Sequence, residues 1–533
     1  MTDAMEELNM NMTAKVGVQQ VEELLGKHPR NPAGRSELPD DAPPGIVLNK
    51  KILRDIALSP PPRKGTSTNG CRLEHLANAA EYGDMNLLHK ACCAIAEGAL
   101  SPKALRLAAI GKLVALQKPD GSVRPIGVGS ARRRLTGKAM AKQENALLAA
   151  ISHTRRAVNF ALAYPSGSEA EIWLTRARLS AHPNEMTLQV DGVNAFNALH
   201  RGPMLEACKE RAPSFYRYAH AFYGAHQADM VLSMEAPWPD DMPVPPGVTI
   251  LGSENEWVSI SSEVGLTQGD ALAMILFCIT LQGPLEAVAE AFPDLDVSSF
   301  ADDGRITGDG LQVVNAYHML KQKMEDLGLM VKIKDLKAWS PTRQPDEVVL
   351  ACRAAQITLE PPTGGVLLLS SPLGSLEWMK QAVIDQWRGK GADEMPLADR
   401  EFMGLAGKLT MVGSMDIGQA QDAMVRYVAS SWLSYLTRTA PPAVLVALEQ
   451  YDTAIGRLIM QTKGGNGPIS PWIKAFSHLP LKWGGWGCSS SADTMLRANV
   501  SSWIAVRTDL ELLYPGTMDC MKSGSGQQVA IMG

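Results

Sequence analysis

A chain of 533 residues is long enough for about two to four packed domains, and an apolar share of 45% excludes disorder over most of it. Eight cysteines without a Cys-x-x-Cys pair, and ten histidines that complete no zinc pattern beside them, exclude a disulfide scaffold and a structural zinc site and suit a reducing intracellular setting, whether cytoplasmic, nuclear or virus-associated. The formal net charge of −5 argues against a broadly basic surface, so contact with nucleic acid has to be local.

Residues 1 to about 65 are rich in proline and charge and end in Pro60-Pro61-Pro62-Arg63-Lys64-Gly65. They read as a partly flexible extension with short helical turns at Val18 to Leu25 and Asn49 to Ile56. Their first twenty residues carry several acids and no apolar core, which is not the pattern of a secretory signal. A compact region begins near Gly70-Cys71-Arg72-Leu73 and is helical to Ile110. The stretch that follows holds Lys112, Lys118, Arg124, Arg132, Arg133, Arg134, Lys138 and Lys142 against Asp120 alone. Within it Leu113 to Leu116 and Val123 to Val128 read as strands joined by the turn Pro119-Asp120-Gly121-Ser122. Such a ribbon presents Lys118 and Arg124 toward one ligand, although a solvated basic face has the same composition.

Leu188-Gln189-Val190 is a short apolar strand that runs into Asp191, and a helix follows with Phe196, Leu199 and Leu205 as core candidates. Residues 231 to 247 read as a loop ahead of a hairpin formed by Val248 to Leu251 and Trp257 to Ser261. Gly265-Leu266-Thr267-Gln268-Gly269-Asp270 opens a helix from Ala271 to about Ala289, whose apolar run falls short of the about 18 residues a membrane span needs, so no membrane is expected. Leu295 to Phe300 and Arg305 to Thr307 flank the tight turn Ala301-Asp302-Asp303-Gly304. Val313, Tyr317, Leu320, Met324 and Leu327 then mark an amphipathic helix ended by Gly328. Strand, helix, helix, hairpin, helix is the order of an α+β fold with helices on one side of a sheet. From Gly365 come a strand, Ser371-Pro372-Leu373-Gly374-Ser375, helices to about Ile459, and an apolar, Gly- and Ser-rich end. Trp378, Trp387, Trp432 and Trp472 stand at helical spacing in apolar surroundings, which favours core positions over base-stacking platforms.

Two adjacent carboxylates at a hairpin apex repel unless a cation sits between them. Asp191, at the end of another strand, can meet Asp302 and Asp303 at one sheet edge, and three hard oxygen ligands suit Mg²⁺. Phosphoryl transfer needs such charge neutralisation and alignment more than a covalent nucleophile, and the sequence offers no persuasive Ser/His or Cys/His arrangement. An Asp-Asp pair alone is common in surface turns, so order and context decide.

The sequence resembles the reverse transcriptase family, particularly the forms of non-LTR retroelements and their reverse-transcriptase-like relatives. Asp191-Gly192-Val193-Asn194-Ala195-Phe196-Asn197 is similar to the family's first catalytic motif, and Gln268-Gly269-Asp270 to its template- and nucleotide-positioning motif. Phe300-Ala301-Asp302-Asp303 is similar to its catalytic hairpin, and Gln117-Lys118-Pro119-Asp120-Gly121 through Arg124-Pro125-Ile126 to the segment that holds the incoming triphosphate. Gly65 to Leu76, the segment around Gly328-Leu329, and Leu369 to Ser375 extend the resemblance over roughly residues 60 to 400, with a weaker echo at Leu479 to Gly487.

The resemblance implies an α+β right-hand polymerase: fingers over 66–186, a palm of antiparallel sheet plus helices over 187–355 with a fingers insertion around 205–255, a palm–thumb junction and helical thumb over 356–460, and a C-terminal region over 461–533. The implied activity is RNA-directed DNA synthesis from a primer 3′-hydroxyl, with Asp191, Asp302 and Asp303 holding two Mg²⁺ ions that Mn²⁺ can replace. Its partners are an RNA template, primer and product strand, and deoxynucleoside triphosphates. Lys118 and Arg124 would meet the triphosphate, and Gln268 and Gly269 the nascent base pair. Phe196 would lie beneath the sugar and exclude a 2′-hydroxyl. Arg132, Arg133 and Arg134 would touch template phosphates. Of Lys332, Lys334 and Lys337, Lys334 is favoured as the group serving the leaving pyrophosphate. Ala271 and Ala273 depart from the family, which has proline after Gln-Gly-Asp. An RNA-dependent RNA polymerase, or an inactive polymerase-derived nucleic-acid-binding protein, shares much of this pattern.

Overall fold

The computed structural model describes residues 14–31, 36–61, 65–117, 121–225, 228–254, 256–388, 418–462, 470–483 and 485–517, together with 405, 409, 412 and 413. In chain order the strands are Gly111–Gln117 (β1), Val123–Val128 (β2), His153–Thr154 (β3), Ala157–Asn159 (β4), Met186–Val190 (β5), Ala228–Ser233 (β6), Val248–Leu251 (β7), Trp257–Ser262 (β8), Asp296–Phe300 (β9), Asp303–Gly308 (β10), Lys337–Trp339 (β11), Thr358–Leu359 (β12), Gly365–Leu368 (β13) and Ser371–Gly374 (β14).

A seven-stranded sheet runs in the order β12-β11-β5-β10-β9-β4-β3. Its centre is antiparallel: Ile306 lies opposite Leu188 and Val297, and Arg305 lies opposite Gln189 and Ser298. β4 joins β9 in parallel and β12 joins β11 in parallel, so the sheet is mixed toward its edges. Side chains alternate across a strand, which gives the sheet two unlike faces. Leu188, Val190, Val297, Ile306 and Ala338 share one core with the helices Ala273–Ala291 and Gly310–Asp326. By length and composition Ala273–Ala291 could cross a membrane, but 61% of it is buried inside the protein, where it serves as a core helix.

The opposite face is polar and is covered by the helix Gly167–Ala181, so helices lie on both sides rather than on the one side the element order suggests. Its chemistry explains the cover. The hydroxyls of Thr187 and Thr307 bond each other at 2.9 Å. Glu171, fully buried on the covering helix, accepts from Ser298 at 3.1 Å and pairs with Arg305 at 3.2 Å. Desolvation pushes the Glu171 carboxyl up and pulls the Arg305 guanidinium down, and their pairing opposes both shifts.

A five-stranded sheet in the order β2-β1-β6-β8-β7 stands beside the first. β1 and β2 form the expected antiparallel ribbon, with Leu116 opposite Arg124. β6 runs parallel to β1 and covers Ala228–Ser233, so the loop expected from 231 begins inside a strand. Much of the segment before residue 65 is integral, not an extension: Val21, Leu24, Leu48 and Leu53 are buried in the main core. Its helix Val18–Gly26 seats at the base of the ribbon. There the Glu23 carboxylate accepts the Val123 N–H at 2.9 Å, and Lys27 donates to the Val123 carbonyl. Beyond β14, the helices Leu376–Arg388 and Leu445–Thr462 build a second core around Trp387, Leu448 and Tyr451. The long helix Ser491–Leu513 then returns to Gly167–Ala181, where Trp173 donates to Ser502 at 3.0 Å. Among the described residues the cysteines are free thiols.

Glu171→Ala leaves the Arg305 guanidinium buried without its counter-charge. It is expected to cost about 3–5 kcal/mol, read as a fall in the urea midpoint, whereas Glu171→Leu combined with Arg305→Met is expected to recover most of that loss.

Candidate functional site

The β5–β10 register decides which acids meet. Arg305 lies opposite Gln189 and Gly304 opposite Val190, so one further step brings Asp303 opposite Asp191. Both residues therefore fall on the face that carries Gln189 and Arg305, and both line one cavity there. Asp302 sits in the two-residue turn between Phe300 and Asp303, which pair directly across the hairpin. The first central residue of that turn, Ala301, is buried at φ +57, a left-handed conformation that a non-glycine residue adopts at a cost of about 1–3 kcal/mol. The hairpin holds this strained turn at the acidic edge.

Partial burial and like charges raise Asp302 and Asp303. For Asp302, burial first and then the charges of Asp303 and Asp191 push the carboxyl up to about 6, with Arg124 acting the other way. Asp303 is raised by desolvation and by Asp191, against Arg305 and Lys332. A cavity of about 290 Å³ lies against this edge, lined by Asp191, Asp303, Arg305, Asp335, Leu367 and Ser370 among others. Among the described residues no three His, Cys, Asp or Glu side chains stand gathered as a metal-binding group, so the acids share an edge without closing on one point.

The lysine at the acids is Lys332, not Lys334. The segment after Gly328-Leu329 pairs back onto the end of β5: Gly192 bridges Val331, and the Lys332 N–H donates to the Asp191 carbonyl at 2.8 Å. That pairing brings the Lys332 ammonium 3.2 Å from the Asp191 carboxylate and into contact with Asp335. Burial lowers and the two carboxylates raise its pKa, with a net rise, so it stays charged. Lys334 is exposed on the short turn Ile333–Asp335, and Lys337 pairs with Glu360 at 3.5 Å. Counting residues from Gly328 could not find Lys332, because the choice is made by a single backbone bridge.

Gln268 and Gly269 lie between β2 and the start of the helix Ala273–Ala291. The Gly127 N–H donates to the Gln268 carbonyl at 2.6 Å, and a Cβ on Gly269, at φ +107, would stand 2.5 Å from the Gly127 carbonyl. The glycine is thus required for close backbone approach to the ribbon. Phe196 is half-buried and stacked on Phe277 at 4.7 Å, while its carbonyl accepts the Leu266 N–H at 2.6 Å. Arg124 is exposed on β2 and acts electrostatically on Asp302.

The three consecutive arginines part company. Arg132 is exposed, and Arg134, half-buried, donates to the Gly65 carbonyl at 3.0 Å. Arg133 faces inward and cannot reach a template phosphate. It pairs with Asp270, donates to Tyr218 at 3.1 Å and Tyr223 at 3.3 Å, and lies 4.1 Å above the Phe222 ring. Burial works against its charge, but Asp270 and the tyrosines more than compensate, and the guanidinium stays protonated. A helix turns by about 100° per residue, so adjacent arginines cannot share one face. Lys118 lies outside the described residues.

No family model matches this chain, and no curated protein matches it. Solved structures do, among them two of telomerase. Apo telomerase from Candida Tropicalis truncated from its C-terminal domain is 12% identical at a TM-score of 0.32, over 45% of this chain and 51% of that one. Apo telomerase from Candida Tropicalis is 10% identical at a TM-score of 0.34, over 81% of this chain and 70% of that one. The chain thus spans about half the length of the first of these structures.

The folded Asp302 pKa lies above its unfolded value, so the native state binds the extra proton. Stability from this group is full below about pH 4 and falls as pH rises to about 6 and beyond. Asp302→Asn is therefore expected to raise the Tm above about pH 7 and to leave it nearly unchanged near pH 4. Thermal denaturation across that range checks the sign.

Proposed function

We propose that this chain is an RNA-directed DNA polymerase of right-hand type, transferring nucleotidyl groups from deoxynucleoside triphosphates to a primer 3′-hydroxyl. What supports the reading is that Asp191 and Asp303 line one cavity at the sheet edge beside Asp302, whose carboxyl feels both charges and, in opposition, the cation of Arg124. Ordinary folding avoids like charges directly opposite on a sheet. Crowded acids with raised pKa are what a divalent cation relieves.

The donor set is hard oxygen, which fits Mg²⁺ and Mn²⁺ better than softer metals. Asp191, Asp302 and Asp303 would be the ligands, and two bound ions would supply charge neutralisation at the attacking hydroxyl and the leaving pyrophosphate. The chain's own groups account for the rest. Arg124, projecting from the ribbon, suits the fork geometry of phosphoryl oxygens, and Lys118, close to it in the sequence, would add a mobile charge. Lys332, held at Asp191, is in place to give a proton or a charge to the departing pyrophosphate.

Phe196, stacked from behind by Phe277, offers a fixed ring edge beneath the nucleotide sugar that leaves no room for a 2′-hydroxyl. Gln268 would support the nascent base pair, with its backbone tied to the ribbon through Gly127. In this reading the five-stranded sheet belongs to the fingers, the seven-stranded sheet is the palm, and the helices between β14 and about residue 460 serve as the thumb, apart from the C-terminal region over 461–533.

Primer extension on defined RNA and DNA templates tests the proposal. Asp302→Asn with Asp303→Asn is expected to abolish extension and leave template binding within a few-fold; retained extension would refute the site. Phe196→Ala is expected to admit ribonucleotides, whereas ribonucleotide preference in the wild type would point to an RNA polymerase instead. Lys332→Ala is expected to slow single-turnover incorporation by about a hundredfold, with Lys334→Ala near wild type.

A further inference from the structure

The tryptophans read from sequence as core candidates do not behave alike. Trp387 is buried, and Trp378 and Trp432 pack against the second core. Trp472 is 70% exposed, and so is Trp483, at 65%. Both belong to a small built unit: the helix Pro471–His478 and the segment that folds back on it. The N–H groups of Trp486 and Cys488 donate to the carbonyls of Phe476 and Ser477 at 3.2 and 3.1 Å, and that of Gly487 to Leu479 at 2.9 Å. Gly485 allows the fold-back, since a Cβ there would stand 2.1 Å from the Leu479 carbonyl. Trp486 anchors the unit to the second core and meets Phe476 edge-on at 5.3 Å. Trp472 stacks parallel on Phe476 at 5.1 Å and 12°, its outer face open. Lys482 holds its ammonium 4.9 Å from the Trp483 ring.

Charge selects the occupant. Residues 453–492 hold Arg457, Lys463, Lys474 and Lys482 and no Asp or Glu, in a chain that carries 56 acids over 533 residues. Exposed flat rings interleaved with lysines in an acid-free stretch match the two features of an unpaired nucleic acid strand, π-faces and phosphates. We infer that Trp472, Trp483, Lys474 and Lys482 form a base-stacking platform for single-stranded nucleic acid, separate from the acidic edge. The platform builds on the nucleic-acid reading of the chain but not on its chemistry. It binds by stacking, with little preference for sequence, and each lysine contributes a phosphate contact.

The test uses the full chain, a labelled oligouridine, and an abasic strand of equal length, followed by anisotropy and by intrinsic tryptophan quenching. Trp472→Ala with Trp483→Ala is expected to weaken oligouridine binding about tenfold or more and to leave the abasic strand nearly unaffected. Lys474→Gln with Lys482→Gln is expected to weaken both strands and to lower the salt slope by about 1.4. Trp→Phe changes at both positions keep a stacking face and are expected to retain most of the binding. Unaltered oligouridine affinity in the double alanine variant would overturn the inference and give the patch to a protein surface. Phe variants as weak as the Ala variants, or no tryptophan quenching in the wild type, would overturn it as well. Primer extension by the double alanine variant on a short hairpin template is expected to match wild type, so failure of the polymerase reading shows in extension and failure of the platform shows in binding.

Discussion

The pairing of β5 with β10 sets the position of every group at the acidic edge. A strand alternates its side chains with period two, so a slip of one residue would turn Asp191 away from Asp303 and place Val190 beside it. Two features hold the register. On one face Leu188 and Ile306 are buried against the core helices, and a slip would expose both. On the other, Arg305 is locked to Glu171 beneath the hairpin and the Thr187–Thr307 hydroxyl bond fixes the strand two residues further on. The apolar face supplies most of the burial energy; the polar face permits one alignment only, because a displaced Arg305 would be a buried charge without a partner.

A second constraint ties the ribbon to the acids. The buried Arg133–Asp270 pair joins the helix Ala131–Gln143 to the entrance of Ala273–Ala291, and Asp270 also accepts the Leu272 N–H at 2.9 Å just ahead of that helix. The Gly127–Gln268 backbone bond lies beside it. On the far side, the N-terminal helix bonds Val123 through Glu23 and Lys27, while the Lys27 carbonyl accepts from Asn194 at 2.8 Å. Arg124 is therefore held from both flanks by groups that reach the loops around Phe196 and Gln268. The backbone that carries it is set by packing, and the long stem reaches from there toward the acids.

The strands, the long helices and the acidic motifs were legible because they are local. Hydrophobic period, turn residues and the motifs at Asp191, Gln268 and Asp302 each lie within short windows of sequence. What was not legible depended on distant pairing. Lys332 is selected by a bridge between Gly192 and Val331, and Arg133 is withdrawn by an acid far along the chain at Asp270. The segment before residue 65 looked like an extension because its apolar residues are sparse, yet Val21, Leu24 and Leu53 suffice to bury two short helices in a groove built by other elements. Trp472 and Trp387 have similar surroundings in sequence; only the fold-back over 479–488 leaves one open and the packing of Leu376–Arg388 closes the other.

The net charge of −5 includes charges held in the interior. Arg133 with Asp270 and Arg305 with Glu171 are neutral pairs that leave the surface balance unaltered. Arg176 is different. It is fully buried without an acidic partner, held by the carbonyls of Thr439 and Pro372 and the Ser371 hydroxyl, and burial pulls its pKa down to about 9. Asp452 is its counterpart, a buried carboxylate held by the Ser490 hydroxyl and the N–H groups of Ser491 and Ala492, so the two cancel and the exterior keeps its net acid excess. An acidic exterior repels a polyanion except where bases outnumber acids locally, as they do in the ribbon with its following helix and over residues 453–492. Repulsion elsewhere then acts as selection: a strand is admitted at these places, and its approach is oriented before any contact forms.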